Sequence, residues 1–177
     1  MNVDEPKIEQ QAEEPFRAAV SYSAKGIVYA FHTETNLKRD VWLFTALAIV
    51  ELVLRPTLTE VTVTLFVSMC VFAAELFNTA IELTVDVASN WRYHVVAGAA
   101  KDVASGAVTM ISIGALCVAC WLLTQVWPWH FWLLSRRHMP GAVMVLAALA
   151  VIWTFRCWPY RAETVIKRRR MEDTHEF

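Results

Sequence analysis

From Val61 to Ala74 the chain runs fourteen residues without a charge, and Glu75, Glu82 and Asp86 follow directly behind. So apolar a run reads as a helix, because a segment away from water must satisfy its own backbone amides. Glu75, Asn78, Thr79, Glu82 and Asp86 stand at i, i+3, i+4, i+7 and i+11. At roughly 100° per residue these five side chains share one helix face. A carboxylate at the end of such a run is costly to desolvate unless it is paired, protonated or bound to a cation. Asn78 and Thr79 alone could serve as a polar seam in a helix bundle. Two carboxylates one above the other could not do so without cations, so the stripe reads as a site.

Other apolar runs decide the class. Hydrophobic residues make up 56% of the 177, which fits a small all-α integral membrane protein. Phe16, Val20, Ile27, Val28 and Phe31 fall at near-helical spacing among Arg17, Ser21, Lys25, His32 and Glu34. That pattern predicts an amphipathic helix lying in the membrane interface. Val41–Leu54 is the first expected span, reaching about 20 residues with its flanks and closed by Arg55-Pro56. Val61–Ile81 is the second, and Ser105–Trp127 the third. Trp91–Asp102 between them is polar enough to face water at the membrane surface. Trp121, Trp127, Trp129 and Trp132 crowd the end of the third span as an interfacial belt would. Met139–Trp158 is an expected fourth span, which would bring both termini to one side, with the KRRR end cytoplasmic.

The chain therefore divides into a disordered acidic tail (1–15), a membrane domain (16–127), a C-terminal hairpin or transmembrane helix (128–160) and a basic then acidic tail (161–177). Glu51 in the first span reads either as a site residue or as an acid near enough to the helix end to reach water or Arg55, and the second reading fits its position better. Trp91 and Tyr93 read as interfacial anchors. Gly98, Gly106 and Gly114, with their alanine neighbours, suggest close helix packing. Cys117 and Cys120 match C-x-x-C, but within a hydrophobic helix they read as small packing residues. A net charge of −1 gives no electrostatic footprint for nucleic acid. The acidic N-terminus does not resemble a secretory signal peptide. No G-x-x-x-x-G-K-[ST], G-x-G-x-x-G, zinc-type Cys/His spacing or G-x-S-x-G is present.

The remaining set suits phosphoryl transfer to a lipid hydroxyl. That chemistry needs a divalent cation on phosphate oxygens, groups to hold it, a base for the hydroxyl and a cation near the transferred group. Mg²⁺ takes one or two carboxylates plus phosphate oxygens. Glu82, with Glu34 brought near from the surface helix, could supply such a pair, and Lys101 is the natural phosphate partner. Glu75 lies about two turns deeper on the apolar side, where a lipid head group can present its hydroxyl to a base.

Glu75-Leu-Phe-Asn78-Thr79-Ala-Ile-Glu82, Asp86, His94, Ala100-Lys101-Asp102 and Ser105-Gly106-Ala107 resemble the signature of the prokaryotic diacylglycerol kinase family, which includes the undecaprenol kinases. Tyr22-Ser23-Ala24-Lys25-Gly26 and Glu34 match its surface-helix pattern, and the resemblance covers roughly residues 16–125. The Asp86-to-His94 link is one residue longer than in that pattern, and the chain from about Trp129 onward lies outside it. The resemblance implies a homotrimer of small subunits in the bacterial cytoplasmic membrane, with the active site facing the cytoplasm. It also implies ATP and Mg²⁺ used to phosphorylate diacylglycerol or, alternatively, undecaprenol. By position it makes Glu75 the catalytic base and Glu34 and Glu82 the metal carboxylates, both also in the nucleotide site. Tyr22, His94, Lys101 and Asp102 become nucleotide contacts, and Lys25, Asn78, Asp86 and Ser105 supporting or lipid-side residues. A channel lined by Glu51, Glu75 and Glu82, or a non-catalytic membrane scaffold, is the competing reading. Neither has a use for Glu34 on a surface helix together with Lys101-Asp102.

Overall fold

The computed structural model describes residues 16–92, 94–130 and 138–160. The N-terminal tail, Tyr93, Trp132, Arg136, Arg137 and the tail from 161 lie outside them. Among the described residues every regular element is an α-helix: α1 (Phe16–Thr33), α2 (Thr35–Leu54), α3 (Leu58–Ala88), α4 (Val95–Gln125) and α5 (Met139–Cys157). The protein is thus an all-α integral membrane protein. Three of these helices, α3, α4 and α5, are long and apolar enough to cross a membrane. The expected fourth span is therefore among the three. The first is a full-length helix of 20 residues, but Lys38, Arg39, Asp40 and Glu51 leave it less apolar than the others.

The helices α3 and α4 run further than the apolar patterns foretold. Each has 31 residues, roughly 46 Å, against about 30 Å of hydrocarbon. The surplus lies beyond the apolar stretch, where the polar segment expected to follow the second span instead continues as helix. Asn90 and Trp91 take left-handed backbone conformations (φ 49 and 59). Trp91 N–H bonds Asp86 O at 2.9 Å and Asn90 N–H bonds Val87 O at 3.1 Å. This pattern closes a helix C-terminus, and Asn is well suited to the left-handed position. His94 then caps α4, its Nδ1 accepting from Val96 N–H at 3.3 Å. The long Asp86–His94 link is absorbed in this reversal.

At the opposite end Arg55 is left-handed (φ 53) and returns its N–H to Glu51 O at 2.9 Å. Thr57 and Glu60 form a reciprocal capping box at the start of α3, with Thr57 N–H to Glu60 Oε2 at 2.5 Å. Glu51 does not reach water: it is buried, and the Thr64 hydroxyl of α3 donates to its Oε1. A hydroxyl nearly two turns into the facing helix satisfies it where the polar end of the bilayer was expected to.

The core joins the surface helix to the bundle. Ala30 and Phe31 of α1, Leu37, Val41 and Phe44 of α2, Phe72 of α3 and Ile152 of α5 form one buried cluster. The Phe72 ring lies 5.7 Å from Phe31 and 5.8 Å from Phe44. Leu37 is completely buried. Leu37→Ala is expected to cost about 3 kcal/mol, checked by denaturant unfolding in detergent. The expected tight packing at Gly98, Gly106 and Gly114 is not made within this chain, because a Cβ there would meet nothing within 4 Å. That face of α4 turns away from the bundle. The close approach is at Gly141 of α5, where a Cβ would sit 3.1 Å from Val61 Cγ2. Cys117, Cys120 and Cys157 are exposed and Cys70 is half-buried, all as free thiols.

Candidate active site

The α1–α2 corner positions Glu34. The helices are interrupted at this one residue, which is extended (φ −83, ψ 127) and begins α2 without spending its carboxylate on the helix. The Thr33 hydroxyl donates to that carboxylate at 3.5 Å. The negative charge at the start of α2 is favoured by the helix dipole.

On α3, Glu75, Asn78 and Thr79 are buried as the stripe predicted. The Thr79 hydroxyl donates to Glu75 O at 2.9 Å, a bond within the helix that leaves the Glu75 carboxylate for other work. Asn78 Nδ2 donates to Glu82 Oε1 at 2.7 Å and orients it, while Asn78 Oδ1 is buried with no hydrogen-bond partner. Glu34 at the α1–α2 corner, Asp40 of α2 and Glu82 of α3 are within electrostatic range of Glu75, without being grouped around one point. Asp40 was not foreseen. Its Oδ2 is buried with no hydrogen-bond partner among the described residues.

One turn beyond Glu82, Asp86 Oδ1 holds Lys101 Nζ at 2.5 Å across the α3–α4 hairpin. Both side chains keep about a third of their surface exposed (34% for Lys101, 27% for Asp86). The ammonium is aimed by this pair and still open to a ligand. Asp102, the next residue, is exposed. His94 is occupied at Nδ1 as the cap of α4. Tyr22 and Lys25 sit together on the exposed part of α1, the Lys25 ammonium 5.4 Å from the Tyr22 ring centre. The described contacts do not join them to the carboxylates.

Beside Glu75 an open groove of about 390 Å³ runs between α3 and α4. Asn36, Glu75, Asn78 and Ser105 line it, together with Val108, Thr109, Ser112, Ile113 and Leu116 of α4. Ser105, Thr109 and Ser112 stand at i, i+4 and i+7, on one helix face. Asn36 was likewise not anticipated, since nothing in its local sequence marks it.

The donor chemistry fits Mg²⁺. These carboxylates are hard oxygen ligands with an excess of negative charge. Among the described residues no three His, Cys, Asp or Glu side chains are grouped to hold a metal by themselves. A cation there would take Glu34 and Glu82 and complete its shell from phosphate oxygens and water, as Mg²⁺ does with nucleotides.

Residues 21–123 match the family described as Prokaryotic diacylglycerol kinase. A relative named Diacylglycerol kinase, from Synechocystis sp. (strain ATCC 27184 / PCC 6803 / Kazusa), is 36% identical over 104 residues. The aligned part is 58% of this chain and 58% of the relative, so the chain spans well under two thirds of that protein's length. No solved structure matches. The matched segment holds Glu34, Asp40, Glu75 and Glu82, the Lys101–Asp86 pair and most of the surface helix, and stops short of α5. The chain belongs to the prokaryotic diacylglycerol kinase family.

Proposed function

We propose that this protein is a lipid kinase that transfers the γ-phosphoryl group of ATP to the hydroxyl of diacylglycerol, giving phosphatidic acid and ADP at the cytoplasmic face of a bacterial membrane. The observation that carries this reading is that Glu75 lines the groove between α3 and α4, which carries both polar groups (Asn36, Asn78, Ser105) and apolar ones (Val108, Ile113, Leu116). That profile matches an amphiphile with its hydroxyl at Glu75 and its chains in the bilayer. The lipid O–H proton passes to the Glu75 carboxylate as the lipid oxygen bonds to the γ-phosphorus. The bond from that phosphorus to the bridging oxygen breaks, and the electron pair leaves with ADP. Mg²⁺, held by Glu34 and Glu82, supplies charge neutralisation for the phosphates when bound. Lys101, aimed by Asp86, meets the phosphate oxygens as a point charge. Tyr22, His94 and Asp102 stand at the water-facing side as nucleotide contacts, with Lys25 in support. The small-residue face of α4 gives a homotrimer a surface for close helix approach.

Diacylglycerol is favoured over undecaprenol by the lining of the groove. Ser112 lines the groove two turns along α4 from Ser105, with Val108 and Ile113 on the same wall. The Thr109 hydroxyl already donates to Ser105 O at 3.1 Å, but Ser112 can donate to an ester carbonyl. A glycerol ester offers that acceptor and a polyprenol chain does not. Purified protein given Mg-ATP and each lipid in parallel is expected to phosphorylate diacylglycerol faster. Faster turnover of undecaprenol would reverse the substrate assignment, and turnover of neither would end the kinase reading.

A further inference from the structure

The helix α5 lies outside the segment that matches the family, yet it is built into the bundle. Val145 and Ile152 are buried against α2 and α3. Trp153 Nε1 donates to Thr45 Oγ1 at 3.1 Å, and its ring meets Trp42 edge-on at 5.3 Å. Both ends of α5 are tied. Where α2 turns into α3, His138 Nδ1 lies 2.6 Å from Arg55 O. At the other end, the Trp158 carbonyl accepts from His32 Nε2 at 3.0 Å. The Tyr160 ring stacks on His32 (5.4 Å, 16°) and meets Tyr29 edge-on (6.0 Å, 74°).

These last contacts fall on the final turn of α1, and His32 is two residues before Glu34. Val28, Ala30 and Phe31, near the end of α1, are its buried residues, and the twelve residues before them are largely exposed. A surface helix fixed on so little area can tilt or slide, and a shift of about 1 Å at a group that positions reactants is costly in rate. We propose that Tyr160 and the Trp158 carbonyl form a clamp by which α5 positions the last turn of the surface helix, and with it the Glu34 carboxylate, against Glu75 and Glu82. Tyr160 is a positioning residue that acts through His32 and Tyr29. Its link to catalysis rests on the kinase reading above, whereas its hold on α1 does not.

The test uses the full chain with Tyr160→Ala and Tyr160→Phe. In Tyr160→Ala, amide hydrogen exchange from Val28 to Glu34 is expected to accelerate while α3 and α4 keep their protection. The KM for Mg-ATP is expected to rise about fivefold, the equivalent of one lost aromatic pair, with the KM for lipid unchanged. Tyr160→Phe, which keeps the stack, restores both. Unchanged exchange in Tyr160→Ala would overturn the clamp. Faster exchange with an unchanged KM for Mg-ATP would overturn its link to Glu34. Glu34→Gln with Tyr160 intact examines the metal role separately, so failure of the kinase reading shows there and leaves the exchange result standing.

Discussion

Glu75→Gln is expected to cut phosphoryl transfer by about a thousandfold, in the range lost with a general base, while Mg-ATP binds as before. Glutamine keeps the size and hydrogen-bonding shape of the side chain but cannot take the lipid proton. The bond from Thr79 runs to the Glu75 backbone carbonyl, so the helix is untouched by the change. Glu75 is buried, and a neutral amide costs less to bury than a carboxylate, so the variant is expected to be no less stable than the parent. Single-turnover transfer measured beside equilibrium ATP binding separates the two effects. A variant with full activity would show that the proton goes elsewhere.

Glu82→Gln is expected to act on the metal requirement instead. Glutamine Oε1 can still accept from Asn78 Nδ2, as Glu82 does at 2.7 Å, so the side chain keeps its orientation and loses its charge. The Mg²⁺ concentration for half-maximal rate is expected to rise about thirtyfold, corresponding to a lost charged contact of roughly 2 kcal/mol. Much of the rate should return at saturating Mg²⁺, which Glu75→Gln would not show. A Mg²⁺ titration identical to the parent's would remove Glu82 from the metal site. Glu34→Gln is expected to shift the titration in the same direction, because the proposed metal site uses both carboxylates.

The stripe on α3 was legible because helical periodicity is local: spacing alone puts Glu75, Asn78, Glu82 and Asp86 on one face. The α1 helix was legible for the same reason, and Glu34 falls at the corner between it and α2. Asp40 was not, because only its packing shows a buried oxygen. Asp86 and Lys101 could each be named, but not as a pair. They are 15 residues apart, and their meeting depends on the hairpin register set by Asn90 and Trp91. The lengths of α3 and α4 were underestimated because polarity was read as the end of a helix. Where a helix leaves the bilayer, polarity only marks the end of its hydrocarbon contact.

By itself the sequence determined the all-α membrane class, the run of apolar helices and the carboxylate stripe. Each follows from hydropathy and from the 3.6-residue repeat, which act over a few turns. Only the tertiary structure decided which helix faces meet. It brought Glu34 and Asp40 within electrostatic range of Glu75, joined Lys101 to Asp86, opened the groove toward Ser112 and laid α5 against the surface helix. Those outcomes depend on turn geometry and on the packing of Phe31, Leu37 and Phe72. Such contacts join residues far apart in the chain, and no local pattern encodes them.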